Sequence, residues 1–236
     1  MSINRSVVLS NGQEFWGGVK AILPILLGAA PFGLIYGVLA VAGGMTPAMT
    51  QVMSTLVFAG SAQFITAQLV GAGAPGLVIV ATVAIVNLRH ALYSASMAPY
   101  LRHLHPLWQW GLAYLLTDEA YAVAITRYNE TTDTDAPHRH WHFLGAGLGL
   151  WLCWQGSTAA GVFLGAQIPA AWSLDFAVAL TFIALVVPAL RDRPSVAAAL
   201  VAGVVAVVAV GLPYQLSLVV ATLVGIATGV GGERYE

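Results

Sequence analysis

From Gly18 onward the chain is a succession of apolar stretches punctuated by short clusters of Gly, Pro, Thr and Arg. Each stretch is about 20 residues long, and at about 1.5 Å per residue a helix of that length covers the roughly 30 Å of a bilayer's hydrocarbon core. A water-soluble surface is not available to such a chain: 58% of its residues are hydrophobic and only 8% are charged, against about 25% charged in an ordinary soluble domain. The pattern predicts an all-α integral membrane protein of about eight transmembrane helices. The spans are placed at 18–43, 47–70, 75–98, 107–126, 143–168, 171–190, 195–212 and 214–230. Residues 1–17 read as a cytoplasmic N-terminal segment, 18–230 as a single transmembrane domain and 231–236 as a cytoplasmic tail. Ala40-Val41-Ala42 resembles a signal-peptidase site, but the apolar run before it is longer than a secretory core and further spans follow, so it reads as a retained helix.

Basic residues orient the spans, because translocated loops are poor in Lys and Arg. With the N-terminus inside, Arg5, Lys20, Arg127, Arg139, Arg191, Arg193 and Arg234 all fall on the cytoplasmic side, and only Arg89 and Arg102 do not. Both termini are therefore expected in the cytoplasm. The formal net charge of −1 points to no nucleic-acid partner. The single cysteine, Cys153, excludes an intrachain disulfide. His138-Arg139-His140-Trp141-His142 spaces its imidazoles two apart, yet without cysteines or a scaffold it reads as an interfacial anchor and not a metal site. No cofactor is expected.

The most informative feature is the depth at which polar residues and helix breakers fall. Asp118 lies about 17 Å along its span from Leu107, near the bilayer midplane, with Glu119 beside it. An aspartate at the centre of a membrane helix costs about 3 kcal/mol, so these carboxyls must face protein or water. Comparable depths in other spans carry Pro31-Phe32-Gly33, Phe58-Ala59-Gly60-Ser61-Ala62-Gln63-Phe64, Asn87-Leu88-Arg89-His90 and Gln155-Gly156-Ser157. Helices broken inside a membrane leave backbone groups open, and these survive only in protein or along a cavity. Five interrupted spans therefore predict a shared internal chamber. Helical spacing would put Tyr114, Asp118 and Tyr121 on one face, Asn87, His90 and Ser94 on another, and Glu119 near Arg89 or His90. The recurrence of Gly60-Ser61 as Gly156-Ser157, and of Thr82 as Thr181, suggests an inverted repeat. A plainer account stays open, in which Arg89 and one carboxyl form a structural ion pair and the small residues only allow close packing.

A chamber of this kind suits a transporter, and enzymatic activity is not expected. Ser61 with His90 could be imagined as the nucleophile and base of an intramembrane hydrolase, but no nucleophile-elbow or HExxH pattern occurs. A passive channel is the nearer alternative; broken helices favour a carrier because they build an occluded midplane site.

Read in order, Pro31-Phe32-Gly33, the run from Phe58 to Phe64, Asn87-Leu88-Arg89-His90 with Leu92-Tyr93, and Thr117-Asp118-Glu119 with Tyr121-Ala122 resemble the AzlC family, the azaleucine-resistance exporters of branched-chain amino acids. The resemblance runs from about Phe15 to Arg127 and continues more faintly, through Asp175-Phe176-Ala177 and Thr181-Phe182-Ile183, to Arg191. It implies export of leucine, isoleucine, valine or analogues across the inner (cytoplasmic) membrane, with a small AzlD-type membrane protein as partner. Self-association is also open. Joined to the residues, it suggests that the N–H groups near Gly60 and Ser61 receive the substrate carboxylate. Asp118 would take the ammonium, with Gln63 and Tyr121 adding hydrogen bonds. Phe32, Phe58 and Phe64 would surround the aliphatic side chain, with Asn87 and Arg89 completing the site. Arg89 would either hold Glu119 charged or bind the carboxylate. His90, Asp118 and Glu119 are the candidates for carrying a coupling proton, since a carboxyl sheltered from water can exchange one near neutral pH.

Overall fold

The computed structural model describes residues 9–130, 138–165, 190, 192–213 and 216–233. Every regular element among the described residues is a helix: α1 (Asn11–Ala42), α2 (Pro47–Leu56), α3 (Gly60–Gly71), α4 (Gly76–Val86), α5 (Leu88–Leu101), α6 (Pro106–Tyr114), α7 (Asp118–Glu130), α8 (Arg139–Gly165), α9 (Arg193–Val208) and α10 (Leu216–Glu233). The all-α expectation holds. The span expected at 171–190 lies outside the described residues except for Leu190, as do the faint motif at 175–177 and the repeat partner Thr181.

Helix α1 begins well before the expected start of the first span. Ser10 and Gln13 form a reciprocal capping box: the Gln13 N–H donates to Ser10 Oγ at 3.3 Å and the Ser10 N–H donates to Gln13 Oε1 at 2.9 Å. The helix then continues unbroken through Pro24 and Pro31 to Ala42, so the interruption expected at Pro31-Phe32-Gly33 does not occur. Each proline removes one ladder bond, but α1 packs against α8 along its length and stays one helix.

The α1–α8 pair is the spine of the fold. Without a hydrophobic force between helices in lipid, close packing of small residues becomes the main source of association, and the sequence supplies it. Gly18 lies against the His142 carbonyl, Gly37 against Thr158 and Gly161, Gly145 against Phe15, and Gly161 against Leu34. Contacts advance in the same direction along both helices, so α1 and α8 run parallel. Gly156 faces open space, and the Ser157 hydroxyl donates back to the Trp154 carbonyl at 3.1 Å; α8 is therefore continuous through Gln155-Gly156-Ser157, and the local structure there differs from that at Gly60-Ser61.

The helices α2 to α7 that follow α1 are each 14 residues or fewer. α2 and α3 are separated at Val57-Phe58-Ala59, and α6 and α7 at Leu115-Leu116-Thr117. α4 and α5 meet at a kink on Asn87 (φ −84°, ψ 0°). Of the five expected interruptions, two are clean breaks, one is a kink and two are continuous helix. Gly44 and Gly73, at φ +92° and +66°, turn the chain after α1 and α3, in a backbone region that residues with a Cβ seldom adopt. α9 and α10 form an antiparallel pair through Gly225 on Ala202 and Gly232 on Pro194. By length and apolarity, α1 and the joined α4–α5 are each able to cross a membrane.

Candidate functional site

The break in the second span is stabilised from three directions. Where α2 stops, the carbonyls of its last turn lose their helical partners, and side chains supply new ones. Gln63 Nε2 donates to the Val57 carbonyl at 2.6 Å and Gln155 Nε2 to that of Ser54 at 3.0 Å, while Tyr114 Oη donates to Thr55 at 2.5 Å. A second tier fixes those donors: Trp154 Nε1 donates to Gln63 Oε1 at 3.0 Å, Trp151 Nε1 to Tyr114 Oη at 2.7 Å, and Gln51 Nε2 to Gln155 Oε1 at 2.7 Å. The Trp154 ring lies so close over Gly60 that a Cβ there would meet it at 2.9 Å. Gln63 is fully buried, and its amide is engaged at both ends.

Replacing Gln63 by Leu leaves the buried Trp154 N–H without a partner, at about 1–3 kcal/mol, and leaves the Val57 carbonyl only the Ala59 N–H of its two donors. Thermal unfolding of the detergent-purified Gln63→Leu variant is expected to fall by on the order of 10 °C. An unchanged melting temperature would mean that this side chain does not support the break.

The opposite side of the break is built differently. Ala59 has no side chain to cap α3, so the first N–H groups of α3 point out of the helix with the positive end of its dipole. The second break also starts a helix, but here a side chain caps it: α7 starts at Asp118, with the Thr117 hydroxyl accepting from the Ala120 N–H at 3.2 Å. Arg89, two residues past the Asn87 kink, joins the two helix starts. Its Nη2 donates to Ser61 Oγ at 2.9 Å and its Nη1 to Asp118 Oδ2 at 3.1 Å. The pair is reachable, with side-chain exposures of 31% for Arg89 and 45% for Asp118. Two polar atoms at this kink are open: Arg89 Nε and Asn87 Oδ1 are buried without a hydrogen-bond partner among the described residues.

Arg89 thus pairs with Asp118, and not with Glu119 as its spacing on a continuous helix suggests. Glu119 meets the side chains of Asp118 and Thr117. The break also cancels the helical register linking Tyr114 to Asp118. Tyr114 braces α2, whereas Tyr121 stacks on Tyr93 at 4.8 Å between ring centroids and meets Ser96 Oγ at 2.9 Å. His90 Nδ1 lies 3.3 Å from the Asn87 carbonyl. Ser61, Arg89, Asp118 and Glu119 therefore come together, with Asn87 two residues before Arg89 at the kink.

The aromatic residues do not join that group. Phe58 and Phe64 are buried, and Phe64 meets the rings of Phe32 and Tyr36 edge-on at 6.3 and 6.0 Å. They form the packed interior behind α3, on the side of α1 and α8. An apolar cavity of about 210 Å³ lies further along α5, lined by Ser94, Met97, Leu101, Leu112, Leu116 and Phe143, among others. It opens on the α5 face that continues from Asn87 and His90, and on Leu116, two residues before Asp118. Sequence reasoning passes over Ser54, Thr55 and Gln51, whose only signal is polarity near the end of an apolar run. No cluster of metal-binding side chains occurs among the described residues.

This geometry has a family context. The family model described as "AzlC protein" matches residues 24–168, more than half of the chain and every element of the site. The chain belongs to the AzlC family. The match lies within the stretch over which the resemblance is expected and includes α8, which carries Trp154 and Gln155. A membrane protein of Archaeoglobus fulgidus described as uncharacterized is 30% identical over 202 residues, covering 84% of this AzlC-family chain and 85% of the relative. The inner membrane protein YgaZ of Escherichia coli is 26% identical over 230 residues, covering 91% and 87%. An uncharacterized membrane protein of Helicobacter pylori is 32% identical over 118 residues, about half of each chain (47% and 50%). No solved structure matches the chain. This AzlC-family protein is accordingly a helical membrane protein, as its composition requires.

Proposed function

We propose that the protein is a transporter that exports branched-chain amino acids across the inner membrane, with both termini cytoplasmic, as the large subunit beside a small AzlD-type membrane protein. The observation that carries this reading is Arg89 held between the N-terminal ends of α3 and α7, with a buried donor (its Nε–H) and a buried acceptor (Asn87 Oδ1) still open. A zwitterion fits that set. Its carboxylate takes the Arg89 Nε–H and the N–H groups at Gly60 and Ser61, where the helix dipole favours an anion. Its ammonium takes Asn87 Oδ1 and Asp118. The aliphatic side chain enters the cavity between Met97, Leu112, Leu116 and Phe143, since the aromatic residues assigned to it on sequence grounds are occupied in the core.

Coupling follows from the same contacts. Substrate carboxylate competes with Asp118 for Arg89, and a released Asp118 either binds the ammonium or takes a proton, with Glu119 and His90 in reach of the exchange. Asp118→Asn is then expected to carry out exchange of labelled for unlabelled valine while losing accumulation driven by a proton gradient. Equal gradient-driven rates in parent and variant would remove Asp118 from the coupling step. The deciding experiment for the function is efflux of radiolabelled valine and leucine from cells expressing the chain with and without the small partner. Counterflow in the same preparation distinguishes a carrier from a passive channel.

A further inference from the structure

A buried ionic cluster lies at the other end of α7. Glu14, in the first turn of α1, is 3% exposed. Its Oε1 accepts from Arg127 Nη2 at 2.5 Å and its Oε2 from Arg127 Nε at 3.2 Å, and His142 Nδ1 is 3.5 Å from the same Oε2. These three side chains tie the start of α1, the end of α7 and the start of α8 together. Burying a carboxylate is costly unless it is paired, and packing α1 on α8 does not require one.

Beside the cluster is a cavity of about 350 Å³ between α1, α7 and α8, lined by Ala21, Ile25, Ala122, Val123, Thr126, Arg127, Glu130 and His142. The α7 residues in that lining follow a three-and-four spacing, 122, 123, 126, 127 and 130, which defines a single helix face. Extended one turn toward the break, that face reaches Glu119. The wall of the cavity and the acidic end of the candidate site are thus one continuous strip of α7, with the ionic cluster across its outer end.

We propose that this cavity is an aqueous vestibule through which the substrate, a small zwitterion, reaches Glu119 and Asp118, and that Glu14, Arg127 and His142 form its gate. The proposal rests on the transport reading for what passes, but not for the existence of the gate. α7 is a half-helix attached through the break at Leu115-Leu116-Thr117, so its far end can move only when the cluster that anchors it lets go. Closing the pair shuts the strip at the membrane face; opening it admits water and solute.

The test uses cysteine reactivity in the full-length chain, after the single native Cys153 is replaced by Ala. Ala122→Cys and, as a lipid-facing control, Leu27→Cys are exposed to a membrane-impermeant methanethiosulfonate in vesicles of both orientations. The expected result is slow labelling at position 122 in the parent. Glu14→Gln, and independently Arg127→Gln, should accelerate it at least tenfold from one face only, while position 27 stays unreactive. Millimolar valine should slow the accelerated reaction. The proposal is overturned if neither substitution changes the rate at position 122, or if position 122 is as inert as position 27 in every background. Should valine efflux fail while the gating result stands, the identity of the substrate is wrong and the vestibule is not.

Discussion

Valine efflux by Arg89→Ala is expected to fall on the order of 100-fold, with membrane levels of the protein close to parental. The estimate follows from what Arg89 touches. Its guanidinium makes hydrogen bonds to Ser61 and Asp118 and leaves Nε–H for a ligand. Charge-assisted bonds contribute about 1.5–3 kcal/mol each, and about 1.4 kcal/mol is a factor of ten. Loss of the bond to substrate, together with loss of the charge that balances Asp118, accounts for about two factors of ten. The folding cost is smaller, because both partners are about a third exposed or more and water screens what remains of the interaction. Arg89→Lys should recover little, since an ammonium has no planar fork with which to serve two helix ends and a third partner. Ser61→Ala, which removes one neutral partner, should cost less than tenfold. Initial rates of labelled valine efflux, normalised to protein in the membrane, check the series. Efflux by Arg89→Ala within about twofold of the parent would leave the Arg89–Asp118 pair as a structural contact and take the proposed site with it.

The polar members of this site were legible before the fold because membrane burial makes them expensive. Arg89, Asp118 and Glu119 stand out against an apolar background at one depth, and they do come together. Other parts were not legible, for specific reasons. Proline and glycine in α1 look like a break, yet a parallel neighbour packed at glycine distance keeps the helix intact. Helical spacing linked Tyr114 to Asp118 and Glu119 to Arg89, but spacing arguments fail across a break, and the second break, at Leu115-Leu116-Thr117, contains neither glycine nor proline. Its residues reveal it only through Thr117 acting as a cap for α7. The Phe side chains flank the polar motif in sequence, which is what points them toward the substrate. On α3, however, Ser61 faces Arg89 while Gln63 and Phe64 face Trp154 and Tyr36, so one motif serves two sides of a helix. Glu14 precedes the first apolar run, and only its pairing with Arg127, far along the chain, gives it a role.

Gly161→Leu is expected to yield no monodisperse protein from the membrane, whereas Gly156→Ala, in the same helix, should be recovered at parental levels. Both replace a glycine in α8, so intrinsic helix preference predicts a gain of about 0.5–1 kcal/mol for alanine at either position. Packing decides otherwise. A Cβ at Gly156 meets nothing within 4 Å, while one at Gly161 overlaps the backbone of Leu34 on α1. Backbone cannot change rotamer, so α1 and α8 must separate, and the separation acts on the contacts at Gly18, Gly37 and Gly145 as well. Overpacking a rigid interface costs about 1–3 kcal/mol even for small insertions, and in lipid no hydrophobic force draws the parted helices back together. Gly161→Ala should therefore already lower the unfolding temperature of the purified protein, and Gly161→Leu should abolish its recovery. Fluorescence-detected size exclusion of tagged variants and thermal unfolding in detergent give both readings. If Gly161→Ala and Gly156→Ala melt together, the α1–α8 seam is not the frame of the molecule. The breaks beside Phe58 and Leu116 would then have no fixed wall to work against, because Trp154 and Gln155, which brace the first of them, are carried by α8.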